Sequence, residues 1–126
     1  MAFEHKPCPD WSMAAAADLS SSQFLFGAAD ANGRCAVAGA GAVSIGVIQD
    51  NDAAAIDQAT AIQSYGVSKV RIGAAVAAGA RVSSNASGQA VTAASGNVVH
   101  GIALSAGTNA NEIISVLLTL GGGQLN

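Results

Sequence analysis

Residues 30–66 recur, without gaps, as residues 85–121, and this echo restricts the chain to folds built from two like units. At a shift of 55 (88 − 33), Gly33, Gly41, Gly46 and Gly66 fall on Gly88, Gly96, Gly101 and Gly121. Each segment holds five glycines, so four coincide. Matched alanines carry little weight in so alanine-rich a chain, whereas glycine marks points where the backbone needs positive φ or a close approach. The echo opens with Asp30-Ala31-Asn32-Gly33 against Asn85-Ala86-Ser87-Gly88. Both read as turns, because an Asx side chain bonds the local backbone and glycine takes the left-handed position. It continues as Gly-x-Val-x-x-Gly-[Val/Ile], from Gly41 to Val47 and from Gly96 to Ile102. The repeat is one of backbone shape, and it predicts two small turn-and-strand units in tandem.

At 126 residues the chain fits one domain with two lobes on a shared core. Its apolar share is 51% but aromatics make up only 4%, so Ala, Val, Ile and Leu must form the core. Such side chains bury little area each, which leaves an isolated domain marginal and favours self-association. Charged residues are 10% of the chain, well below the usual quarter or so, and a surface so poor in charge is expected to meet protein. The formal net charge is −3, and Lys6, Arg34, Lys69, Arg71 and Arg81 form no basic stripe, so nucleic-acid binding is not expected. No basic-plus-apolar leader opens the sequence, and the uncharged run Cys35 to Gln49 is too short and glycine-rich to span a membrane. Cys8 and Cys35 read as two reduced thiols rather than a disulfide framework.

Residues 1–22 differ in character from the rest. They hold both prolines, Pro7 and Pro9, the only tryptophan, Trp11, then an alanine run and the triplet Ser20-Ser21-Ser22. This pattern predicts an extended N-terminal arm, with at most a marginal helical turn at Ala14 to Ala17. Phe3 and Trp11 either fold back onto the domain's own sheet or dock on another chain. From residue 23 to 121 short apolar stretches alternate with glycine turns, and residues 122–126 form a tail. Strands are expected at Gln23 to Phe26, Arg34 to Val37, Val43 to Ile48, Ala59 to Tyr65, Lys69 to Ile72, Gln89 to Thr92, Val98 to Leu104 and Ile113 to Leu120. Their spacing is that of a mainly β fold, a small β-barrel or β-sandwich. Asp52 is in place to cap one helical turn over Ala53 to Gln58, and Gly73 to Ala78 has the propensity for another. The last strand is apolar on both faces and is expected to be covered on both.

The sequence holds no recognisable catalytic pattern. His100 stands where the first unit has Ile45, so that backbone slot accepts an apolar residue, and His100 reads as a packing or interface histidine rather than a base. His5, Cys8, Cys35 and His100 lack the pairwise spacing of a zinc site. Gly39-Ala40-Gly41 lacks the third glycine of a dinucleotide loop, where Ser44 stands, and neither lysine ends a phosphate-binding loop. Asp50 and Asp52 read as a solvated loop rather than a cation site. No catalytic residue, cofactor or metal is expected.

Several stretches carry a resemblance. Gly66-Val67-Ser68-Lys69-Val70-Arg71-Ile72-Gly73, Ala78-Gly79-Ala80-Arg81-Val82, Asn85-Ala86-Ser87-Gly88-Gln89-Ala90, Gly101-Ile102-Ala103-Leu104 and Glu112 to Leu118, in this order and spacing, resemble the capsid cement, or head decoration, proteins of tailed bacteriophages. The likeness covers roughly Phe24 to Gly121. It implies a compact, β-tulip-like domain made in the host cytoplasm. Such a domain trimerises on the outer surface of the virion, over the local threefold junctions of the major capsid protein, and clamps the expanded shell. It also implies an arm that docks on the capsid, with Phe3, Pro7, Pro9 and Trp11 as candidate contacts. Recombinase labels attached to some relatives find no support in a chain without a phosphate loop. The competing class is a bacterial surface or matrix β-sandwich module that binds glycans, against which stand the missing leader and the few aromatics.

Overall fold

The computed structural model describes residues 10–120 and 123. It has ten short strands: β1 (Asp10–Ala14), β2 (Phe26–Ala29), β3 (Cys35–Val37), β4 (Gly46–Ile48), β5 (Ala59–Gln63), β6 (Gly66–Arg71), β7 (Arg81–Ser84), β8 (Ala90–Thr92), β9 (Gly101–Ala103) and β10 (Ile113–Leu118). They form two antiparallel five-stranded sheets with the orders β1-β5-β4-β2-β3 and β6-β10-β9-β7-β8. Raising every label of the first order by five gives the second, so the two sheets are copies of one plan. In each, a parallel bridge ties the residue after the first strand to the far edge strand, Ala15 to Cys35 and Ile72 to Ala90. Each sheet therefore curls on itself without closing into a barrel.

The hydrogen bonds fix the correspondence residue by residue. From β2 through β4 the shift is 55: Asp30 N–H donates to the Arg34 carbonyl as Asn85 N–H donates to that of Gln89. After β4 the second unit is one residue shorter. Gln58 therefore matches Glu112 at a shift of 54 (112 − 58), and the ungapped echo slips there. Ahead of β2 the shift is 57 (72 − 15), because Ala15 N–H donates to the Gln58 carbonyl as Ile72 N–H donates to that of Glu112. The repeat thus starts earlier than the sequence shows, at β1. Gly33 and Gly88 have φ of 74° and 75°, the same left-handed turn, and Asp57 and Asn111 share φ near 70°.

Residues 10–22, the described part of the segment read as an arm, run through the first sheet. β1 pairs along its whole length with β5, and Ala15 and Leu19 are buried in the first unit's core. No helix occurs among the described residues, which corrects the three helical turns suggested by propensity. In each place backbone donors are drawn off to neighbours: Ala16 N–H to the Cys35 carbonyl, Gly73 N–H to that of Ala90, Val76 N–H to that of Gly107. At the second site Asp57 N–H donates to the Ala15 carbonyl, while Gln58 Oε1 accepts from Ala54 and Ala55 N–H. β1 and β7 escaped the sequence reading; β7 is Arg-Val-Ser-Ser, and its two serines, turn formers by composition, are buried.

Packing divides the core in two. Ala15, Leu19, Cys35, Ile48, Ala53 and Ile62 fill the first unit. The second holds Val70, Ile72, Val76, Ala90, Ala103, Ile114 and Val116, and it also takes Phe26, Ala38 and Val47 from the first. Alternate residues point inward along β5 (Thr60, Ile62) and β10 (Ile114, Val116, Leu118), as a pleated strand requires. The outward residues Ile113 and Leu117 stay exposed, so the expected cover on β10's second face is missing within the monomer.

Candidate functional site

No group of three His, Cys, Asp or Glu side chains comes together among the described residues. Asp50 is engaged internally, accepting from Thr60 Oγ1 at 3.0 Å and Ala61 N–H at 3.2 Å. Cys35 is buried, and burial, with the Asp30 charge adding to it, pushes its thiol up to about 11, far from the reactive thiolate. His100 and Ser84 form the one Ser-His pair among the described residues, Oγ to Nε2 at 3.2 Å. It does not make a nucleophile. Ser84's hydroxyl donates to the Gly39 carbonyl at 2.7 Å, and both residues are shut off from solvent.

The structure places His100 at the joint between the two units, with its ring 4.7 Å from that of Phe26 at 58°. Burial pushes its pKa down to about 4, against a smaller opposing pull from the Val99 backbone. A base whose folded pKa lies below its unfolded value of about 6.5 holds the fold fully above pH 6.5 and loses that stability as pH falls toward 4, since the unfolded chain then binds more protons. Unfolding free energy should drop by about 3 kcal/mol over this window, read by denaturant titration at each pH. His100→Ile, which installs the residue type of the equivalent Ile45, should remove that slope; an unchanged slope would assign it elsewhere. Glu112, lowered by Thr108 and Asn109 N–H, acts only below its ordinary 4.5.

The joint combines backbone and side-chain hydrogen bonds with apolar contacts. From the first unit, Phe26 N–H donates to the Gly88 carbonyl (2.8 Å) and Gly41 N–H to that of Ser84 (2.9 Å); Phe24's carbonyl accepts from Arg71 N–H (2.8 Å). Gln49 Nε2 donates to Ser68 Oγ at 3.0 Å. Sequence reasoning missed Phe26 as its centre. The signal was present: Phe26 aligns with Arg81, a large apolar residue opposite a charged one in otherwise like units.

Of the candidate contact residues, Phe3, Pro7 and Pro9 lie outside the described residues. Trp11 sits on β1 opposite Ile62; its Nε1 donates to Ser64 Oγ at 2.7 Å, and the residue is 42% exposed. Gly33, Gly41, Gly88 and Gly96 lie in turns at positive φ, while Gly46 and Gly101 open β4 and β9. Val67, Leu104, Ile113 and Leu117 are exposed on the second sheet, and Val43 on the first unit.

The described residues thus form two tandem copies of one curled sheet, locked by an internal joint, with thiol and imidazole buried and several large apolar side chains exposed. The phage cement protein family model matches residues 4–119, and the chain belongs to that family. Among solved structures it is similar to the head fiber gp8.5 N base in bacteriophage phi29. The TM-score is 0.68 at 12% identity, covering 93% of this chain and 97% of that one, a likeness of fold. A comparison with curated proteins gives no match.

Proposed function

We propose that this chain decorates and stabilises the expanded icosahedral head of a phage, binding the major capsid protein from outside, at local threefold junctions, as a homotrimer. The observation that carries the reading is membership of the phage cement family over nearly the whole chain. The fold likeness to a head fiber base supports it, as do the exposed apolar side chains on an otherwise charge-poor surface. Catalysis and cofactors have no part in it. In this reading the segment ahead of β1, with Phe3, Pro7 and Pro9, supplies the capsid-docking contacts.

The test is occupancy of expanded heads, stripped of their native decoration, against protein concentration. The intact chain should saturate a fixed set of sites and raise the temperature at which heads rupture. A chain lacking residues 1–9 should keep its far-ultraviolet spectrum and bind about tenfold or more weakly, about 1.4 kcal/mol. Equal binding by the two forms would move the capsid contact to the β domain; no binding by the intact chain would overturn the reading.

A further inference from the structure

The internal joint is heterologous: the two units meet through different surfaces. The Gly88 turn of the second unit packs on Leu25, Phe26 and Val37 of the first, whereas at the equivalent Gly33 turn nothing lies within 4 Å of an added Cβ. Each unit carries the backbone plan of both surfaces, with Arg81 and Ile45 standing where the internal joint has Phe26 and His100, so the chain ends in two half-joints that no further unit of its own fills. Shifting the first unit's joint residues forward places one half on the second unit, with Phe26, Val47 and Gln49 mapping onto Arg81, Ile102 and Leu104. Shifting the second unit's residues back places the other half on the first, with Ser68, Gly88, Val98 and His100 mapping onto Trp11, Gly33, Val43 and Ile45.

These unused halves hold large apolar side chains that the monomer leaves in water. Leu104 is 50% exposed, Trp11 42% and Val43 67%. The match is specific at one contact. Inside the chain Gln49 reaches Ser68; between chains the same geometry sets Leu104 against Trp11, an apolar pair in place of a hydrogen bond. Ladder pairing fixes both equivalences, since Trp11 faces Ile62 as Ser68 faces Val116, and Gln49 N–H donates to the Ala61 carbonyl as Leu104 N–H donates to that of Ser115.

We propose that copies of this chain join head to tail by repeating their own internal joint, the Leu104 side of one copy seated on the Trp11 side of the next. Such contacts close into a ring or run on as a filament. Closure at three copies, which rests on the homotrimer reading above, makes a ring of six like units. Trp11 is then an anchor between copies rather than on the shell.

The experiment is cross-linking of the full chain in a Cys8→Ser background, which leaves only the buried Cys35. Trp11→Cys and Leu104→Cys are made singly and together, and a short bis-maleimide spans the gap that Gln49's side chain fills in the internal joint. Mixed single variants should give covalent dimers only, and the double variant should give covalent trimers. Trimers by light scattering without cross-linking would overturn the proposed joint and leave the homotrimer standing. A chain that stays monomeric and uncross-linked both in solution and on heads would overturn both. A second pair guards against misfolding. Leu104→Lys and Trp11→Glu should each weaken association about tenfold, and one chain carrying both, which sets opposite charges against each other at every joint of the ring, should restore it; failure of that double variant to recover would count against the joint.

Discussion

Gly46→Ala and Gly101→Ala are expected to unfold the domain or to cost it about 3 kcal/mol or more, while Gly33→Ala costs about 1–2 kcal/mol. At Gly46 an added Cβ would lie 2.5 Å from the Gln63 carbonyl oxygen and 2.6 Å from Ile62 Cγ2, at a φ of 151°. At Gly101 it would strike the Leu117 carbonyl oxygen and Val116, the equivalent pair. Backbone cannot step aside as a flexible side chain can, so the strand would have to leave its neighbour. At Gly33 the penalty is only that of a left-handed residue, because the surrounding space is open. Denaturant unfolding of the four proteins, wild type included, gives the ranking. Gly46→Ala no worse than Gly33→Ala would show that β4 and β5 have room to move apart.

The second large effect is expected at Phe26. Phe26→Ala should cost about 3–5 kcal/mol, because the ring is fully buried in the second unit's core and no smaller neighbour can fill its place beside His100. Measured against a typical domain stability of 5–15 kcal/mol, that is a large share. Arg81→Ala, at the equivalent and exposed position, should shift stability by no more than about 0.5 kcal/mol. The contrast separates the joint from the repeat: one slot in two like units, decisive in one and nearly silent in the other. Similar losses at both positions would mean that the ring contributes within its own sheet and not across the joint.

Much of this was written in the chain itself. The glycines paired at a shift of 55 marked the turns at Gly33 and Gly88 and the close approaches at Gly46 and Gly101. They are legible because such backbone states exclude other residues. The continuous apolar run from Ile113 located β10, and the turn-bounded stretch from Ala59 located β5. β1 was not legible, because Asp-Trp-Ser-Met-Ala beside an alanine run has no strand signature of its own and is a strand only through β5. β7 was hidden by two serines that a strand buries. The helical turns suggested at Ala14 to Ala17, Ala53 to Gln58 and Gly73 to Ala78 lost to neighbouring carbonyls, since tertiary hydrogen bonds outweigh a few tenths of a kcal/mol of propensity.

Sequence alone determined the repeat, its β character and the family, since each depends on which residues occur and at what spacing. Only the tertiary structure decided where the repeat starts, how it slips by one residue after β4, and that its two copies meet through unlike surfaces. Those features depend on which strand edges and side chains face one another across 50 or so residues of chain, and spacing along the sequence carries no record of that. The unused half-joints at Trp11 and Leu104 belong to this second kind, visible once the ladders align the units and not before.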